Sequence, residues 1–218
     1  IDNLIVNINA PEVPIMDGSA KEFVEQIKIC GLKTLNAKRK FIKITKKSEL
    51  KLTDKSMSIV PVNNNFSVKF TLSYENPLIK TQVGNASFKD QNLENIYSAR
   101  TFCLYEDIEK VKASGLGKGG TLENAVVVRG DKVLNEGGLR SEKEFVNHKI
   151  LDLAGDFMLA GMRVIGSVEC IHGGHSLTND FLRKILSDNS NFTIIEGIDS
   201  VTNIQKITSD QKRLAVNA

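Results

Sequence analysis

Residues 66–74 read Phe-Ser-Val-Lys-Phe-Thr-Leu-Ser-Tyr. Phe66, Val68, Phe70, Leu72 and Tyr74 alternate with polar residues, so one face of an extended strand is apolar and the other wet. Working upstream, Phe41 to Thr45 and Met57 to Val62 are further strands, separated by Lys/Ser/Asn/Asp-rich turns. Downstream, helices are expected over about 92–99 and 106–113, and a strand at Val126 to Val128. The longest helix begins near Ser141, where Ser141 and Glu144 have the spacing of a capping box. Its apolar face is Phe145, Ile150, Leu151, Leu153, Phe157 and Leu159, ending at Gly161. A strand at Val164 to Cys170, a helix over about 178–186 and a strand at Phe192 to Ile195 complete this part. At the other end, Leu4 to Ile8 alternates like a strand. Asp17-Gly18-Ser19 supplies a turn and cap, and Phe23, Ile27 and Cys30 recur at helical spacing until Gly31. Runs of strands broken by pairs of helices give an α+β fold, built as two-layer sheet/helix sandwich domains.

The chain has 218 residues, 41% of them hydrophobic and 25% charged, an ordinary globular balance. A net charge of +3 gives no reason to expect nucleic acid as partner. Apolar runs such as Ala125 to Val128 fall far short of the roughly 20 residues of a transmembrane segment. No basic, apolar leader opens the chain, so secretion is not expected. Cys30, Cys103 and Cys170 are odd in number and widely spaced. They read as reduced thiols of a cytoplasmic protein, with no Cys beside a His in sequence to suggest thiol catalysis.

All three histidines, His148, His172 and His175, fall after residue 147. His148, Asp152 and Asp156 stand at i, i+4 and i+8 on the long helix. At about 100° per residue they share one face, with Lys149 flanking it. An imidazole and a carboxylate one turn apart can both reach one zinc ion, although such pairs also occur on merely solvated faces. The turn Gly173-Gly174-His175-Ser176 tips the balance towards function. Its glycines allow close backbone approach, and a His at a helix entrance suits proton transfer. Gly115 to Thr121 resembles a phosphate loop but fails, because Lys118 is followed by Gly and a β-branched run follows where a helix is needed. It reads as a hinge. Arg100-Thr101-Phe102 alone is uninformative.

The string GGTLENAVVVRGDKVLNEGGLRSEKEFVNHKILDLAGDF at residues 119–157 closely resembles the UDP-3-O-acyl-N-acetylglucosamine deacetylases of lipid A biosynthesis. So do VNINAPEVPIMDGSA at 6–20, SARTF at 98–102 and GGHSLTN at 173–179. The resemblance implies a zinc-dependent (Zn2+) hydrolase that removes the acetyl group from the 2-nitrogen of a UDP-linked, 3-O-acylated glucosamine. It implies two similar sandwich domains with the active site between them. His148 and Asp152 correspond to two zinc ligands. His175 corresponds to the charged histidine that stabilises the oxyanion and protonates the leaving amine, and Asp156 to the carboxylate that orients it. Thr101 corresponds to a hydroxyl that polarises the amide carbonyl, and Phe102 and Lys149 to substrate contacts. Residues 103–131 correspond to an insert lining a hydrophobic passage for the acyl chain.

The family's third zinc ligand, a histidine, and its general-base glutamate form a Glu-His pair placed just before the position of Ile1. The expectation is therefore an N-terminally truncated chain, with 1–38 the end of a first domain and 39–218 a second domain. Such a chain should bind zinc weakly and deacetylate negligibly alone, and its exposed apolar surface should seek a complementing N-terminal piece. Gly138-Leu139-Arg140-Ser141 also departs from the family, where an aromatic residue usually follows the arginine. Two other readings stand beside this one. The chain could be a non-catalytic remnant serving as a binding or scaffolding domain, or a distinct metal amidohydrolase completed by His172.

Overall fold

The structure is a computed structural model that describes residues 1–90 and 92–197. The strand expected at Leu4 to Ile8 is not there. These residues are exposed, Ile5 at 88%, and none joins a sheet. Alternation alone cannot make a strand where no neighbour lies alongside to take its backbone hydrogen bonds. The turn that follows does form. Asp17 Oδ1 accepts from the Ser19 amide and hydroxyl, and Ser19 Oγ accepts from the Lys21 amide. This starts α1 (Lys21–Cys30), which ends where Gly31 turns to positive φ and donates to Ile27 O.

The main sheet comprises β1 (Arg39–Ile44), β2 (Ser48–Lys51), β3 (Ser56–Val60), β4 (Phe66–Ser73), β5 (Thr81–Ser87), β9 (Arg163–Ile171) and β10 (Phe192–Gly197). Its organising strand is β9, a nine-residue run. Its first three residues pair parallel with β1, and from Gly166 onward it pairs parallel with β4 and, from Ser167, antiparallel with β3. The sheet is thus mixed, and β10 closes on β1 as β5 closes on β4, both antiparallel. Gly166 sits where the change of partner occurs. A Cβ there would lie 2.6 Å from Ile59 Cδ1 and 3.1 Å from Ile44 Cγ1, so a side chain is excluded by the packing of β1 and β3.

Helices α4 (Glu144–Met158) and α5 (His175–Leu186) cover one face of this sheet. Val68, Phe70 and Leu72 of β4 are buried as their alternation predicts, together with Phe145, Ile150, Leu153 and Phe157 of α4 and Phe181 and Ile185 of α5. Leu159 lies past the end of α4 and is 73% exposed, so the apolar stripe stops at Phe157. Helix α5 starts at His175, three residues earlier than its periodicity suggests.

A second, three-stranded sheet occupies the region of the expected insert: β6 (Phe102–Leu104), β7 (Val126–Arg129) and β8 (Lys132–Val133). Strands β6 and β7 are parallel and joined through α3 (Ile108–Ala113). The glycine-rich segment 115–120 is a turn that leads into β7 and not into a helix. The short α2 (Glu94–Tyr97) packs on α4 and receives α1, with Ala20 N donating to Tyr97 O. Among the described residues no helix is long and apolar enough to cross a membrane.

Candidate metal and catalytic site

The site is assembled on α4. Its lead-in carries a correction: Ser141 and Glu144 do not form a capping box. The Glu144 side chain is completely buried and its carboxylate is taken by Arg100, through Nε at 2.8 Å and Nη2 at 3.2 Å. It also accepts the backbone amides of Arg100 at 3.1 Å and Arg140 at 2.6 Å. Burial pushes the Glu144 carboxyl up, but these hydrogen bonds and the guanidinium charge outweigh it and hold it below the ordinary range. A buried carboxylate with this many donors can answer only a local need for charge and acceptors.

One turn along, His148 is buried at 8% exposure, and its Nδ1 donates to the Ala99 carbonyl at 3.0 Å. That fixes the ring and turns Nε2 towards Asp152 Oδ1, 3.2 Å away. In the neutral ring Nε2 and Oδ1 both present lone pairs across this gap, so the pair calls for a proton or a cation between them. Two ligands on a tetrahedral zinc with bonds of roughly 2.0 Å stand about 3.3 Å apart. The donor set and its spacing therefore fit two zinc ligands, and the Nδ1–carbonyl bond is the usual outer support of a metal-binding imidazole. Burial raises the Asp152 carboxyl, but hydrogen bonding and charge from His148, with Lys149 beside it, more than reverse this and leave it strongly acidic. Lys149 Nζ donates to Asp152 Oδ2 at 2.9 Å and lies 5.7 Å from the centre of the Phe102 ring.

The next turn carries Asp156, about 6 Å further along the helix. Its carboxylate accepts from Nδ1 of His175 at 2.9 and 3.0 Å, joining α4 to the first residue of α5. The His175 side chain is 71% exposed, so the ring projects outward from a fixed base. Phe102 packs edge-on against Phe145 and Tyr74, with centroids 4.9 and 5.9 Å away, and Tyr74 remains 36% exposed. Thr101 is placed by its backbone: its amide donates to Gly18 O at 2.7 Å and its carbonyl accepts from Val126 N at 2.8 Å. Its hydroxyl makes no hydrogen bond among the described residues.

His148 with Asp152, and His175 with Asp156, are thus brought together along one face of α4, with Lys149 and Phe102 beside them. His172 stands apart in a left-handed backbone conformation, its amide donating to Thr71 O. Among the described residues no group of three or more His, Cys, Asp or Glu side chains is arranged to hold a metal, so His172 does not complete the His148–Asp152 pair. Nor does the structure favour thiol chemistry at Cys170. The residue is buried, and burial pushes its thiol up to about 12, which suppresses the reactive thiolate. Sequence reasoning missed Glu144, Tyr74 and the Ala99 carbonyl. Only Glu144 carries a sequence signal, its spacing from Ser141, and that signal points to a local cap and not to Arg100.

The sequence pattern of the UDP-3-O-acyl N-acetylglycosamine deacetylase family matches residues 1–187. The chain belongs to that family. Among curated members it is 40% identical over 205 residues to the UDP-3-O-acyl-N-acetylglucosamine deacetylase of Psychrobacter cryohalolentis, a match covering 93% of this chain and 64% of that protein. It is 41% identical over 191 residues to the enzyme of the same name from Pasteurella multocida, covering 86% and 62%. For that of Pseudomonas entomophila the figures are 40% over 205 residues, covering 93% and 67%. The chain therefore spans a little under two thirds of the length of most of these relatives, and about a third of each deacetylase lies outside the match.

Proposed function

We propose that this chain forms the larger part of a cytoplasmic, zinc-dependent deacetylase acting on UDP-3-O-(3-hydroxyacyl)-N-acetylglucosamine in lipid A biosynthesis. The observation that carries the reading is the His148–Asp152 pair, with Nε2 and Oδ1 facing across 3.2 Å and the ring anchored behind by Ala99 O. His148 and Asp152 would hold the zinc. The third ligand and the general base would come from the portion of the family architecture that lies outside the match. When bound, zinc supplies a nucleophile at neutral pH and polarises the amide carbonyl.

The remaining steps belong to side chains of this chain. His175, protonated and steadied through Nδ1 by Asp156, directs Nε2 at the reacting amide. There it stabilises the developing oxyanion and then delivers its proton to the leaving amine nitrogen. The free Thr101 hydroxyl donates to the same carbonyl oxygen. Lys149 and Phe102 form a cationic and aromatic ledge for the anionic nucleotide-sugar. The sheet β6-β7-β8 and its α3 connection, with Leu116 and Leu122 exposed at 66% and 51%, offer apolar surface to the acyl chain.

Leu4, Ile5, Val6, Ile8, Val13 and Ile15 are all more than two-fifths exposed, a row that suits the complementing N-terminal piece. The test joins this chain to that piece of a relative and follows acetate release from the UDP-sugar. The expected result is turnover that a chelator abolishes, that zinc restores, and that is lost in His148→Ala. Turnover indifferent to chelator and to His148→Ala would overturn the reading.

A further inference from the structure

Glu144 and His148 stand four residues apart on α4 and grip opposite ends of one peptide group. The amide of Arg100 donates to Glu144 Oε1 at 3.1 Å, and the carbonyl of the same peptide unit, Ala99 O, accepts from His148 Nδ1 at 3.0 Å. We propose that Glu144 is a positioning residue for His148, acting through the Ala99–Arg100 peptide group to keep Nδ1 protonated and Nε2 bare. The arrangement has the logic of a carboxylate bonded directly to a ligating imidazole, with a planar amide inserted between them.

Two physical effects run along this line. The first is orientation. The peptide unit is planar, so fixing its N–H on a buried carboxylate also fixes the direction of its C=O. That carboxylate is itself immobile, since it is fully buried and held by the Arg100 side chain and the Arg140 amide, while Arg100 Nη2 is tied separately to Gly138 O at 2.8 Å. The second is polarisation. An anion accepting from the amide N–H draws the peptide towards its charge-separated form, which makes the carbonyl oxygen a stronger acceptor for Nδ1–H. Both effects favour the tautomer that leaves Nε2 unprotonated opposite Asp152. The claim rests on the proposed function only for what the bare Nε2 is used for.

The test compares Glu144→Gln with Arg100→Lys in the full chain, by ¹⁵N NMR of the His148 ring at a pH where the ring is neutral. Arg100→Lys loses the guanidinium fork but keeps the backbone N–H on Glu144, so it lowers Tm while His148 retains a protonated Nδ1 and a bare Nε2. Glu144→Gln removes the anion and moves the ring nitrogens towards the Nε2–H tautomer. In the same samples its zinc Kd rises about tenfold relative to the parent chain. If Glu144 served only to hold the fold, both variants would shift the His148 nitrogens in step with their loss of Tm, and that result overturns the proposal. A bare Nδ1 in the parent chain, or unmoved nitrogens in a folded Glu144→Gln, overturns it too. Should Glu144→Gln fail to fold, Arg100→Lys decides alone: unmoved nitrogens support the relay and moved ones refute it. Absence of zinc binding alongside the expected ring signals would count against the metal reading and not against the relay.

Discussion

The carboxylate of Asp156 accepts Nδ1 of His175 with both oxygens, at 2.9 and 3.0 Å, and so ties the entrance of α5 to the last turn of α4. His175 is otherwise largely exposed, and its direction depends on this bond. In a preparation active for deacetylation, His175→Ala is expected to lower kcat by about 10²–10⁴, the usual contribution of a positioned general acid. Asp156→Asn keeps the size of the side chain but loses the charge and one of its acceptor oxygens, and is expected to cost more than about tenfold in kcat with little change in KM. Steady-state kinetics on both variants check this, and full activity in Asp156→Asn would remove Asp156 from the machinery.

Gly18 packs against Thr101 and against the segment that carries Asn124. Its φ is +82°, and a Cβ there would fall 2.1 Å from Asn124 O. Gly18 O also accepts the Thr101 amide, and Arg140 reaches Asp17 at 2.7 Å next door. Gly18→Ala must therefore strain the backbone and displace 121–124 together. The expected loss is about 1–3 kcal/mol in urea unfolding. Activity should drop as well, because Thr101 is placed from this turn.

Much of this was legible in the sequence, and the failures share a cause. The β4 alternation, the stripe of α4 and the common face of His148, Asp152 and Asp156 all follow from local periodicity, and each is seen in the structure. Strands β2 and β5 show no apolar alternation, because Ser48–Lys51 and Thr81–Ser87 are largely polar and owe their conformation to ladders with β3 and β4. Leu4 to Ile8 is the converse, with a strand pattern but no neighbour. Glu144 reads as a local cap in the sequence because its real partner, Arg100, is 44 residues away. The anchor of His148 is a backbone carbonyl 49 residues distant, which leaves no trace in residue type at all.

The change of strand partners along β9 depends on the missing side chain at Gly166. Ile59, whose Cδ1 and Cγ1 would be 2.6 and 2.9 Å from a new Cβ, is fully buried. Gly166→Ala is expected to destabilise by about 1–3 kcal/mol through overpacking. Ile59→Val deletes the offending Cδ1, so the double variant should recover part of that loss, with a coupling of at least about 0.5 kcal/mol. Urea unfolding of the four proteins measures the coupling. Simple additivity would show that the strain arises elsewhere.

Acid should reach the fold through Glu144. Its carboxyl is more acidic in the folded chain than in the unfolded one, where a glutamate titrates near about 4.3. Below that value the unfolded state binds the proton that the folded state still refuses, so the equilibrium moves towards unfolding as pH falls. The contribution of Glu144 is therefore complete at neutral pH, begins to fade near pH 4.3, and is spent once pH has dropped through the lower folded value. Glu144→Gln cannot titrate and leaves Arg100 without its buried counter-charge, at a cost of about 3 kcal/mol at pH 7. The gap between parent and variant, followed by urea midpoints from pH 7 to pH 3, should narrow steadily below about pH 4.3. A gap that stayed constant across that range would mean that the Glu144 carboxylate keeps no charge worth losing, and the buried ion pair with Arg100 would then have no electrostatic role in the fold.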